Sequence, residues 1–141
     1  MLKKNIYRIG LFLFALSLFT QAYGQTDNWH ENDYSDYIQV LIGGEREQSV
    51  ESGRVDLVTE EYAFEVEWAN KWKHSIGQSI WYGLQTNKKP GIILLMRSKE
   101  DYKYFIQLNT ALNYANLSDQ IQVYLFPNDF QEMIESDKKN N

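Results

Sequence analysis

Apolar positions fall along the chain in short runs whose period changes. After an apolar run from Ile9 to Phe19, residues 25–33 are polar and read as a flexible arm. Tyr34, Tyr37, Ile38 and Leu41 recur at three- and four-residue spacing, which predicts a helix over 34–41, ended by Gly43-Gly44. Residues 45–50 read as extended, Gly53 interrupts them, and Arg54-Val55-Asp56-Leu57-Val58 predicts a strand. Thr59-Glu60-Glu61 predicts a turn. Over 62–68, Phe64, Val66 and Trp68 alternate with Ala63, Glu65 and Glu67, the period of a strand. Asn70 reads as the N-cap of a helix from about Lys71 to Gln85. Residues 87–91 predict a turn. Ile92–Met96 is a continuous apolar run, as in a strand buried on both faces. Tyr102, Phe105, Leu108, Ala111 and Leu112 line one side of a helix over 100–115. A last strand over 121–126 stops at Pro127. Asn128 opens a short helix to about Glu135, and 137–141 read as a tail. The order α-β-β-β-α-β-α-β predicts an α/β fold, one domain over 34–136 with a mixed sheet flanked by helices.

The N-terminus changes where this domain is expected to work. Lys3, Lys4 and Arg8 precede the apolar run, and Ala22-Tyr23-Gly24 follows it with small residues at both ends. This is the pattern of a signal peptide over 1–24, with a mature chain from Gln25 exported to the periplasm or outside. The run is short for a bilayer span, so no stable membrane insertion is expected after cleavage. A buried N-terminal helix is the alternative. The chain carries 14 Lys+Arg against 19 Asp+Glu, a net charge of −5. Removing the three basic residues of the leader takes the mature charge to about −8, which argues against nucleic-acid binding by bulk electrostatics. The absence of cysteine excludes a disulfide scaffold, a thiolate zinc site, an iron–sulfur cluster and a cysteine nucleophile. His30 and His74, far apart and without a third, make a poor zinc site.

The acidic residues carry the candidate chemistry. Glu65 and Glu67 project from one side of their strand, about 7 Å apart. A hairpin through Thr59-Glu60-Glu61 brings Asp56 beside them, on the face opposite Val55 and Leu57, and Glu47 on the preceding strand can join. Carboxylates so close repel unless a cation or a proton sits among them, and oxygen-only ligation suits Mg2+ or Mn2+. Alternating Glu also suits a solvated outer face. On the next helix Lys71, Ser75, Gln78 and Tyr82 share one face, while Ile76, Ile80, Gly83 and Leu84 are expected to pack on the sheet. That helix N-terminus, with Lys71, favours an anion such as a phosphate. His74 reads as solvated or capping, or as a phosphate contact. Trp68 reads as core, and Trp72 and Trp81 as core or as base-stacking platforms.

Arg54-Val55-Asp56, Glu65-Val66-Glu67 and Gln78-x-x-x-Tyr82, spread over two strands and a helix, resemble the PD-(D/E)xK nuclease superfamily. The Gln-x-x-x-Tyr element resembles its RecB-type branch. The stretch from Gly43-Gly44 to Tyr82 is similar to small exported bacterial proteins of this fold. The resemblance implies a restriction-endonuclease-like core and Mg2+- or Mn2+-dependent hydrolysis of nucleic-acid phosphodiesters. It implies Asp56 and Glu65 as metal ligands, with Glu47 as an accessory acid. The third motif position, normally lysine, is Glu67, and Lys71 supplies a migrated lysine. Gln78 and Tyr82 are implied to position the metal site or the nucleic-acid backbone. Dimerisation is common in this fold, so a homodimer is a further expectation. A non-catalytic binding protein or an envelope interaction protein is the competing reading.

Overall fold

The computed structural model describes residues 28–140. The expected signal peptide over 1–24 and residues 25–27 of the expected arm lie outside the described residues. Helix α1 spans Glu31–Ile42, three residues earlier than the apolar spacing predicts. Glu31 and Asp33 occupy its first turn, where carboxylates stabilise the positive end of the helix dipole. The end of the polar arm is therefore helical.

Strands β1 (Glu45–Val50), β2 (Gly53–Val58) and β3 (Tyr62–Trp68) follow as antiparallel neighbours. A 3-10 turn, Ala69–Lys71, leads into α2, Trp72–Thr86. Asn70 thus lies inside that turn and does not cap α2; Lys71 holds the N-cap position and makes no side-chain capping bond. Strand β4 is Lys89–Leu95, so Lys89 and Pro90 open a strand where a turn was predicted. Helix α3 (Tyr102–Tyr114), β5 (Gln122–Phe126) and α4 (Gln131–Asn140) complete the chain. Residues 137–140, predicted as a tail, form the end of α4, and Lys138 and Lys139 in its last turn suit the negative end of the dipole.

The sheet order is β1-β2-β3-β4-β5, antiparallel through β3 and parallel from β3 to β5. Helices α2 and α3 make the two crossovers. The fold is an α/β mixed sheet flanked by four helices, consistent with a restriction-endonuclease-like core. On one face Leu57, Phe64, Val66, Ile93 and Leu95 pack with Ile38 of α1 and with Phe130. On the other, Ile92, Leu94 and Leu125 pack with Leu108 and Leu112 of α3. Among the described residues no helix is long and apolar enough to cross a membrane.

The inner face of α2 differs from the one predicted. Ser75, Ser79, Tyr82 and Gly83 are buried, whereas Ile80 is 41% and Leu84 69% exposed. The strand under α2 presents Ala63, Glu65 and Glu67 rather than large aliphatics. Small residues let the helix lie close to that surface; of the predicted stripe, Gly83 is buried and Ile76 packs on the core beside Ile92 and Leu94, while Ile80 and Leu84 face outward.

Candidate functional site

The β2–β3 ribbon opens where the carboxylates sit. Its paired register is Val58↔Ala63 and Leu57↔Phe64, and the ladder ends there. Continued by one step it would set Asp56 opposite Glu65. The Asp56 carboxylate replaces the missing ladder bond: its Oδ2 accepts from the Val66 N–H at 2.8 Å. Beyond this point β2 turns away. Leu57 stays in the core with Ile38, while Val55 packs with Tyr82, so the two residues expected on one face part company.

Asp56 and Glu65 are hydrogen-bonded to each other. Glu65 is only 5% exposed, and burial first, then the charge of Asp56 and this bond, push its carboxyl up to about 9. The pair thus holds a proton between its two carboxyls, which burial favours on Glu65. Burial also raises Asp56, against the pull of the Val66 N–H, the Glu65 bond and Arg46. Arg46 is anchored nearby: its Nη1 donates to the Asp56 carbonyl and its Nε to Asp36 Oδ1 at 2.9 Å.

A second acid pair adjoins the first. Glu67, 8% exposed, accepts at Oε1 from the Trp68 N–H at 2.8 Å, and Lys71 Nζ lies 3.3 Å from the same oxygen. Glu31, at the start of α1, is hydrogen-bonded to Glu67 and lies 3.9 Å from Lys71 Nζ. Burial, then the Glu67 bond and charge, push Glu31 up to about 7, against the pull of Lys71. Two acid pairs thus share protons beside one ammonium. One turn along α2 from Lys71, the buried Ser75 Oγ has no hydrogen-bond partner among the described residues.

The structure brings Asp56, Glu65, Glu67 and Lys71 together, and leaves the other candidates elsewhere. Glu47 has positive φ in β1, is half-exposed, and lies 3.5 Å from Arg54. Gln78 Nε2 donates to Tyr82 Oη at 3.4 Å. Tyr82 is buried against Gly53, where a Cβ would come within 2.8 Å of the ring. Gln78 and Tyr82 lie about 9 Å and about 15 Å along α2 from its first residue. Trp68 packs on Tyr34, Trp72 Nε1 donates to Gln107, Trp81 Nε1 donates to the Glu51 carbonyl, and His74 is exposed. Glu31 and Arg46 belong to the site without having been candidates. The run Glu31-Asn32-Asp33 before an apolar helical period was the available signal for Glu31, since acids favour a first turn.

The donor chemistry fits a hard divalent cation. Every candidate ligand is a carboxylate oxygen, and protons now moderate the repulsion that a cation would relieve. Asp56 and Glu65 are the pair that could hold it. Among the described residues no three acids or histidines form a ready-made metal cluster. Mg2+ asks for one or two carboxylates and completes its shell with water and substrate oxygens.

No family model matches the chain. No solved structure matches it. Among curated proteins, a KilA-N domain-containing protein of Acanthamoeba polyphaga mimivirus is 38% identical over 58 residues, 40% of this chain. The matched segment is 16% of that relative's length.

Proposed function

We propose that the chain is an exported, divalent-metal-dependent phosphodiesterase acting on nucleic acid. The observation that carries this reading is the place of Lys71: its Nζ lies 3.3 Å from Glu67, two residues along β3 from Glu65, the hydrogen-bond partner of Asp56 on β2. The strand position that the nuclease resemblance reserves for lysine is glutamate, and an ammonium reaches it from the following helix. Nucleic acid is the coarser part of the reading, on which the similarity to the KilA-N domain-containing protein also bears. Cleavage is the finer part and rests on the site alone.

Asp56 and Glu65 would hold Mg2+ or Mn2+, which when bound polarises a phosphate and acidifies water. The other steps fall to the chain. To serve as a ligand Glu65 would have to release its proton to solvent, while the Val66 N–H keeps Asp56 oriented. The Glu67 carboxylate, held at Oε1 by the Trp68 N–H and Lys71, is the group placed to accept a proton from the attacking water. The Glu31–Glu67 hydrogen bond then offers that proton a second carboxylate, poised near neutral pH. Lys71 and the N–H groups opening α2 face the developing phosphate charge.

The second reading is a non-catalytic binding protein of the same fold. It is favoured by Gln78 and Tyr82, which bond to each other rather than to the carboxylates. A cleavage assay separates the two. Labelled single- and double-stranded DNA and RNA would be incubated with Mn2+, Mg2+ or EDTA, with Glu65→Ala as control. Metal-dependent cutting that the variant lacks is the expected result. No cutting by a folded protein, with no metal-induced thermal shift, would overturn the enzyme reading.

A further inference from the structure

A second concavity lies on the α1 and α4 face of the sheet, at the opposite end of β3 from Glu67. Its volume is about 650 Å³, within the range of small-molecule sites. Its exposed walls carry the half-buried Tyr62 and Tyr124, backed by Phe64 and Phe130, which are buried in the core. Tyr62 and Phe64 stack at 5.3 Å, Phe64 meets Tyr124 at 6.0 Å, and Tyr124 meets Phe130 at 6.1 Å. The Phe64 ring lies against Gly91 of β4, where any Cβ would run into it. Glycine at that position therefore keeps the floor of the cavity in place. Glu60, Glu61 and Asp129 supply negative charge around these rings.

This combination selects a ligand class. Aromatic faces attract cations through the ring quadrupole, most effectively when the cation is weakly hydrated. Carboxylates beside the rings exclude anions and add attraction for a positive group. The chain already places one ammonium in this setting: Lys89 Nζ pairs with Glu61 and lies 5.8 Å from the centre of the Tyr62 ring. We propose that the cavity walled by Tyr62, Phe64, Tyr124 and Phe130, with Glu60 and Glu61 at its edge, binds a small organic cation of the quaternary ammonium class. The site is independent of the carboxylate cluster and of the phosphodiesterase reading.

Choline and its neutral isostere 3,3-dimethyl-1-butanol test this by calorimetric titration of the protein. Choline is expected to bind saturably, at least tenfold tighter than the isostere. Tyr124→Leu should weaken choline about tenfold, and Tyr124→Phe, which keeps the ring, should retain it. Glu61→Gln, on an exposed side chain, should weaken it several-fold and guards against misfolding of the Tyr124 variant. Asp56→Asn should leave choline binding unchanged. Equal binding of the two compounds, no saturable choline binding, or loss in Asp56→Asn without loss in Glu61→Gln would each overturn the proposal.

Discussion

Helix α1 has acids at both of its ends, and the two groups live under opposite conditions. At its first residue the half-exposed Glu31 joins the partly buried Asp56 and the buried Glu65 and Glu67, beside the point where the β2–β3 ladder ends. Some 16 Å away, its last residue, Ile42, lines the aromatic cavity bordered by Glu60, Glu61 and Asp129. The buried acids relieve their repulsion by sharing protons, and Glu65 is pushed up to about 9. Glu61 and Glu60 stay exposed, and a lysine Nζ balances Glu61. The same side-chain chemistry thus serves two purposes. On the readings proposed above, the buried acids would exchange protons for a small hard cation, whereas the exposed acids beside aromatic rings would suit a large, weakly hydrated one.

The strongest way to break this comparison is to remove one end and read both. Asp56→Ala is expected to reduce metal-dependent cleavage at least about a hundredfold, with a loss of stability of about 1–3 kcal/mol because the Val66 N–H and Glu65 lose their partner, so cleavage is read per folded molecule. Choline binding should persist in that variant. Equal cleavage by Asp56→Ala and the parent protein would remove the carboxylate cluster from the chemistry.

The proton sharing gives a sign that pH can read. The Glu65 carboxyl rises from 4.5 to about 9 on folding, so the folded chain keeps a proton that the unfolded chain releases above pH 4.5. Its stabilising contribution is complete below about 4.5 and is lost as pH rises toward 9. Glu31 acts in the same direction between 4.5 and about 7. The thermal midpoint should therefore fall from pH 5 to pH 9. Glu65→Gln keeps a donor for Asp56 and cannot titrate, so it should flatten that fall. An unchanged slope in Glu65→Gln would refute the shared proton.

Gly91→Ala sharpens the other end. Its Cβ must displace the Phe64 ring, and overpacking of this kind costs about 1–3 kcal/mol. Chemical denaturation reads the cost. Choline affinity should fall with it, while cleavage per folded molecule stays as it was. A variant of parental stability would show that Phe64 moves freely and that the floor of the cavity is not fixed.

Much of this comparison was legible in the sequence, unevenly. The alternation around Glu65 and Glu67 is a period-two signal, and it gave β3 its bounds; the turn over 59–61 gave Asp56 its neighbour. Glu31 was not legible because a polar segment reads as a loop until a tertiary contact holds it, here the Glu67 carboxyl and Lys71. The orientation of α2 misled for a related reason. An aliphatic stripe is expected to face a sheet, yet the sheet under α2 carries carboxylates, and the helix turned Ser75 and Ser79 toward it. Glu47 failed because positive φ takes its side chain off the simple alternation of β1. The aromatic cavity draws on β3, β5 and the segments flanking α4, which no local spacing relates.

Lys71 offers the smallest and most selective test. It is half-exposed, so its attraction for Glu67 and Glu31 is screened by water and its loss should leave stability nearly unchanged. Its value to the site is local. It pulls Glu31 downward, and without it the remaining influences named for Glu31, burial and the acids Glu67 and Asp56, all push the group up. Lys71→Met should therefore lower cleavage at neutral pH by roughly fivefold, the scale of one exposed ion pair, and move the acid limb of the pH–rate profile to higher pH. Lys71→Arg should recover most of the rate, since a cation returns. Uniform loss at every pH in both variants would mean that Lys71 fixes the start of α2 rather than the charge of the two acids beside it.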